Sequence, residues 1–189
     1  MTELSIRDAT AADLERVRDI KVDNWVGTYG PLVPPEALQP HVDRPHQLQA
    51  LREELRLPTT AILVAVDEAD LVLGFALFYP GHDPEPWMES LHVALGSRGR
   101  GVGTGLMSAT ASRLAAAGHH SLRLGVVVGN EAAARFYEGL GASRIGEEPV
   151  AWAEGVWHWI YRWVNLSVMI EPARDPDGQP LDPAEGRPR

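Results

Sequence analysis

The stretch LHVALGSRGRGVGTGLM, Leu91 to Met107, decides how the rest of the chain is read. It passes from an apolar, strand-like segment through glycines at positions 99, 101, 103 and 105 into an Ala-rich segment of helical character. Glycine admits backbone conformations that turn successive N–H groups inward, and the start of a helix adds its partial positive charge, so the turn has the makings of an anion cradle. Arg98 and Arg100 add formal charge to it. A P-loop needs Gly-Lys followed by Ser or Thr, and a dinucleotide fingerprint needs G-x-G-x-x-G; here the glycines fall on every second residue, which excludes both. What remains is R-x-x-G-x-G, Arg98 through Gly103. Taken alone, it is as well read as a flexible turn as a phosphate site.

Outward from that turn, the pattern alternates strands and helices. LSIR at Leu4 to Arg7 reads as a strand. Thr10 offers an N-cap with Asp13 three residues on, and Leu14, Val17, Lys21 and Trp25 recur at helical spacing, which predicts a helix to about Tyr29. A second helical piece spans Glu36 to Leu57 with a break near Pro45. AILVAV (Ala61 to Val66) and LVLGFALFY (Leu71 to Tyr79) form a hairpin, and the proline-rich loop from Pro80 to Pro86 leads to a strand in WMESLHVAL. A helix then runs from about Gly103 to Gly118. LRLGVVV (Leu122 to Val128) reads as a central strand covered on both faces. Asn130 caps a helix in which Ala133, Phe136, Tyr137 and Leu140 share a face, and Gly141 ends it. WAEGVWHWIYRW, up to Trp163, is read as a closing strand pair. The class is α/β, or α+β, with a mixed sheet and helices on both faces. Residues 1–170 are expected to form a single domain, and EPARDPDGQPLDPAEGRPR from Glu171 has so little to bury that a disordered tail is expected.

Composition narrows the function. The chain has 189 residues, 44% hydrophobic and 23% charged, within the ordinary globular range. Its formal charge of −9 opposes binding to nucleic acid or to an anionic membrane. Of 17 basic residues only Lys21 is a lysine. With no cysteine, thiolate zinc sites and cysteine nucleophiles are excluded, and the seven histidines show no metal-ligand spacing, so no metal is expected. The N-terminus carries acids where a signal peptide needs an apolar run, and no membrane-spanning run is present; a cytoplasmic location is expected.

The stretch VVVGNEAAARFYEGLGA places Asn130, Ala133, Phe136, Tyr137, Glu138 and Gly141 in the pattern N-x-x-A-x-x-F-Y-E-x-x-G directly after an apolar strand. With this second motif in order behind the first, the sequence resembles the GCN5-related N-acetyltransferase superfamily, from Leu4 to about Val164. DNWVGTYGPLVPPEAL also looks like the W-x-x-x-Y, Pro, Leu segment of bacterial members. The chain departs from the usual pattern with Leu95-Gly96 in place of a proline and Ala142 in place of a phenylalanine.

The resemblance implies a twisted mixed sheet of about seven strands with about four helices on both faces. It implies a V-shaped opening between the strand at Trp87 to Leu95 and the strand at Leu122 to Val128, with acetyl-CoA inserted as co-substrate. Main-chain groups of Leu91, His92 and Val93 would hold the pantetheine and polarise the thioester carbonyl. The diphosphate would lie on Arg98, Gly99, Arg100, Gly101, Val102, Gly103, Thr104 and Gly105, and Asn130 would touch the CoA arm. Tyr137 is the candidate general acid, since a phenol of pKa ~10 can protonate a leaving thiolate; a core aromatic is its plainer reading. Glu89 is the candidate base, although relatives often carry an acid where this chain has Trp87. His92 is the substitute, on strict alternation facing away from Glu89, and a water chain is the third option. Trp25 and Tyr29 are candidates for the acceptor pocket, with core packing as the alternative. Asp19 and Asp23 offer attraction to a cationic amine, or mere solvation of a helix. The function expected is direct acetyl transfer to an amine of a small molecule or peptide. The alternative is a catalytically silent acyl-CoA-binding module. Neither the acceptor nor the oligomeric state, a homodimer included, is legible.

Overall fold

A computed structural model describes residues 4–170 of the chain; the expected tail from Glu171 lies outside the described residues. Seven strands form one sheet in the order β1-β2-β3-β4-β5-β7-β6. These are β1 (Ser5–Asp8), β2 (Ala61–Val66), β3 (Val72–Tyr79), β4 (Trp87–Val93), β5 (Leu122–Val127), β6 (Ser143–Pro149) and β7 (Trp157–Trp163). All neighbours are antiparallel except β4 and β5. Six helices accompany them rather than about four: α1 (Leu14–Asn24), α2 (Pro35–Val42), α3 (Arg44–Arg56), α4 (Val102–Ala116), α5 (Glu131–Gly139) and the short α6 (Ser167–Ile170). The break expected near Pro45 falls at Asp43, whose carboxylate accepts from the His46 N–H and caps α3.

Strand alternation sorts the apolar residues onto two cores. Ile62, Val64, Val66, Phe75 and Leu77 pack with Leu14, Val17, Ile20 and Leu51 of α1 and α3. Leu63, Ala65, Ala76 and Phe78 face the other way, onto Val102, Leu106, Met107, Ala111 and Leu114 of α4. The entry to α1 is fastened as the sequence suggests. The Asp13 carboxylate accepts from the Thr10 backbone N–H at 2.7 Å and from Arg7 at 2.8 and 2.9 Å, which holds its pKa down at about 2.

The closing strand pair differs from expectation. The aromatic run from Trp157 pairs with Ser143–Pro149 rather than within itself, and residues 150–156 make the turn between them. Every residue of β6 is exposed, so this edge strand has no buried alternation to reveal it.

Candidate active site

The site begins where β4 and β5 part. Their parallel pairing covers only Trp87↔Arg123 and Met88↔Leu124, after which the strands diverge and the edge of β4 from Glu89 onward faces a gap. The Ala94 N–H bonds the Leu73 carbonyl of β3, so by ladder alternation the polar main-chain groups of His92 also face β3 and those of Leu91 and Val93 face the gap. Asn24, near the end of α1, donates through Nδ2 to the Val93 carbonyl at 3.1 Å and to the Ile20 carbonyl at 2.8 Å, while its Oδ1 accepts from Arg98. It is a buried joint between helix, strand and turn that the motif reading passed over.

One branch of the gap is a cleft of about 470 Å³ lined by Leu91, His92 and Val93, by Ser97, Arg98, Gly99 and the stretch from Gly101 to Thr104, and by Asn130, Phe136 and Tyr137. Gly99 and Gly101 adopt φ of +72° and +80°, a conformation that costs other residues energy, and it is Gly101 that opens α4. The first N–H groups of α4 have no partner within the helix and line this branch. Gly103 is needed for space as well: a Cβ there would lie 3.2 Å from the Phe136 ring. Arg100 and Gly105, expected in the cradle, stand outside the cleft. Arg100 is exposed, and Gly105 backs onto Leu4 and Ile6 on the core side. The Asn130 side chain caps α5 by accepting from the Ala133 N–H at 3.2 Å and also bonds the Tyr29 phenol.

The second branch encloses about 130 Å³ between α1, β4, β5 and the β6–β7 turn, and Tyr29, Leu91, His92, Gly125 and Tyr137 belong to both branches. The Tyr137 ring is clamped edge-on by Trp163, centroids 5.8 Å apart, while its hydroxyl makes no hydrogen bond to a described residue. Burial raises its pKa well above the usual tyrosine range, so the phenol keeps its proton. Trp25 and Tyr29 also face this gap. They lie in a π turn, Trp25–Tyr29, closed by a bond from the Gly30 N–H to the Trp25 carbonyl, which sets their rings 4.5 Å apart.

Strict alternation fails at Glu89. Leu77 pairs with Ser90 but Phe78 with Met88, so Glu89 is the extra residue of a β-bulge. The bulge brings Glu89 to the same face as His92, where both feel the charge of Lys21, correcting the expectation that they face apart. Glu89 reaches solvent at the mouth of the branch, yet the crowding walls desolvate it and raise its pKa, against the opposing pull of the Trp87 indole N–H, which donates to Glu89 Oε2 at 3.1 Å, and of Lys21. His92, in contrast, is buried beside Phe75 and pushed down to about 3. Lys21, His41, Trp152 and His158 complete the wall and had no motif to announce them. His158 sits against Gly125 so closely that a Cβ would meet its Nδ1 at 2.4 Å. Asp19 and Asp23 are engaged outside the branch, both with Arg44.

The sheet is thus split between its parallel strands, with a glycine-rich helix start on one side of the split and a tyrosine at the junction of two branches. Residues 15–142 match the Acetyltransferase (GNAT) family, and the chain belongs to that family. It is thus an N-acetyltransferase. The paia N-acetyltransferase of Thermoplasma acidophilum, in complex with coenzyme A, is 17% identical with a TM-score of 0.68, covering 85% of this chain and 98% of that one. The yncA protein of Salmonella typhimurium, with acetyl-CoA, is 23% identical with a TM-score of 0.65, covering 86% and 94%. Ribosomal-protein-alanine N-acetyltransferase from Brucella melitensis is 26% identical with a TM-score of 0.65, covering 84% and 98%. No curated protein matches the sequence. No helix among the described residues is long and apolar enough to cross a membrane.

Proposed function

We propose that the protein transfers an acetyl group from acetyl-CoA directly to an amine bound in the second branch. The observation that carries this reading is the sharing of Tyr29, Leu91, His92, Gly125 and Tyr137 by the two branches, which lets a thioester entering from one side meet an amine entering from the other. The diphosphate rests on the N–H groups of Gly101 to Thr104, and the pantetheine arm bonds the free edge of β4 at Leu91 and Val93. An uncharged amine attacks the thioester carbon, Glu89 takes the amine proton through an intervening water, and the C–S bond breaks as the Tyr137 hydroxyl protonates the departing thiolate. The chain has no cysteine to carry an acetyl-enzyme, which removes the thiol route to a covalent intermediate and favours a single displacement. His92 is a poor base here, because an imidazole whose pKa is about 3 hardly binds a proton near neutrality.

The test is release of free thiol from acetyl-CoA on addition of a pool of amines. Amine-dependent release that follows the wild-type protein supports transfer. Tight acetyl-CoA binding with no release for any amine favours a silent binding module instead.

A further inference from the structure

Lys21 is the chain's only lysine and stands in the wall of the acceptor branch, one helical turn before Trp25. It makes no ion pair and no hydrogen bond to a described residue. The two carboxylates close enough to influence it are otherwise engaged. Glu54 accepts from the Thr60 and Tyr79 hydroxyls at 2.8 and 2.9 Å, and Glu89 accepts from the Trp87 indole. The branch thus carries in one wall the Lys21 amine, whose pKa burial lowers against the opposing pull of Glu89 and Glu54, together with the Glu89 carboxylate, and the two are not joined in a direct ion pair. Its other walls are neutral and flat. His41 stacks on Trp25 with centroids 3.7 Å apart and planes within 2°, Trp152 closes edge-on at 5.4 Å from Trp25, and burial pushes His41 down to about 4.

We propose that the acceptor is a free α-amino acid with an apolar side chain, its carboxylate held by Lys21, its amine directed to Glu89 and the thioester, and its side chain against Trp25, His41 and Trp152. The proposal rests on the acetyl-transfer reading above and names its substrate. An α-amino acid carries its two charges on adjacent atoms' substituents, which is the spacing that neighbouring opposite charges in one wall complement. A polycation would leave Lys21 facing like charge, and a peptide N-terminus would bring no carboxylate near the amine.

The experiment measures kcat/KM for L-phenylalanine, L-tryptophan, L-leucine and L-methionine, for their amides, for the matching decarboxylated amines and for spermidine, at equal free-amine concentration. For at least one side chain, wild type is expected to prefer the acid over its amide and its decarboxylated amine by roughly ten- to a hundredfold, as a charge-assisted hydrogen bond confers. Lys21→Met should collapse that ratio toward one and Lys21→Arg should retain part of it, with acetyl-CoA affinity by calorimetry showing that each variant is folded. Amides, simple amines or spermidine serving as well as the acids would overturn the substrate class while leaving acetyl transfer standing. So would a Lys21→Met variant that slows every acceptor equally, since Lys21 would then act on Glu89 or the thioester and not on a carboxylate. Failure of the protein to bind acetyl-CoA at all would instead sink the transfer reading, and this proposal with it.

Discussion

Tyr137 unites packing and chemistry in one side chain. Its ring is held by Trp163 and Phe136, and its hydroxyl, kept protonated by burial, faces the junction of the two branches. Tyr137→Phe keeps the ring and removes one proton, so kcat should fall by roughly 10²–10⁴ while acetyl-CoA affinity barely moves. Full activity in that variant would reduce Tyr137 to packing. Glu89 has a different signature. Desolvation raises its pKa, so the base form appears only as pH climbs through that raised value, and the wild-type rate should rise over the same window. Glu89→Gln should lose that limb, run slowly near neutrality and recover at alkaline pH, where the acceptor deprotonates without help. A pH profile of kcat/KM identical to wild type would move the base to a water chain. Both residues were legible as candidates because motif and strand position pointed at them. The orientation of Glu89 was not, since a bulge is a property of strand pairing and leaves no trace in a single strand's alternation. Asn24 was hidden for a similar reason: its three bonds reach Ile20, Val93 and Arg98, and only folding brings the last two beside it.

The turn into α4 shows how far one element can be read before its partners are known. Its glycines announced an anion site, and the positive φ of Gly99 and Gly101 agrees with that reading. The same glycines proved to have three distinct duties: conformation at Gly99 and Gly101, close approach to Phe136 at Gly103, and packing on Leu4 and Ile6 at Gly105. Gly103→Asp should therefore abolish acetyl-CoA binding, because it sets a carboxylate at the diphosphate position and pushes against the Phe136 ring. Unchanged affinity by calorimetry would remove the cradle from this turn. Elements with apolar periodicity were legible, β2, β3, β5, α1 and α5 among them. β6 was not, because SRIGEEP is exposed along its whole length and its pairing is dictated by β7. The π turn at Trp25–Tyr29 was read simply as the end of a helix, since nothing in the residue types marks the wider ring.

Across the whole molecule, the defining feature is a sheet that is nearly two sheets. The part made by β1 to β4 with α1 and α3 meets the part made by β5 to β7 with α5 through two strand-paired residues on each side, the Arg123 N–H bond to the Pro86 carbonyl, the Glu85–Arg162 ion pair, the small apolar cluster of Val33, Val127 and Val156, and shared packing on α4. A ligand seated in the gap touches β4 on one flank and Tyr137 and Asn130 on the other, so it should join the two parts as a bridge. Binding to the folded state alone stabilises by mass action, about 2.7 kcal/mol at a ligand concentration of 100 Kd. For a chain of this size that corresponds to a rise in Tm of roughly 5–11 °C. Because the ligand spans the gap, amide hydrogen exchange should slow on both flanks together, over residues 89–93 and at the start of α4 as well as over the N-terminal turn of α5. Coenzyme A alone should reproduce most of the shift, as the diphosphate and pantetheine make most of the contacts. A Tm rise with protection confined to the first turn of α4 would mean that the anion cradle binds the diphosphate while the thioester arm never enters the split, and the catalytic roles assigned to Tyr137 and Glu89 would fall with it.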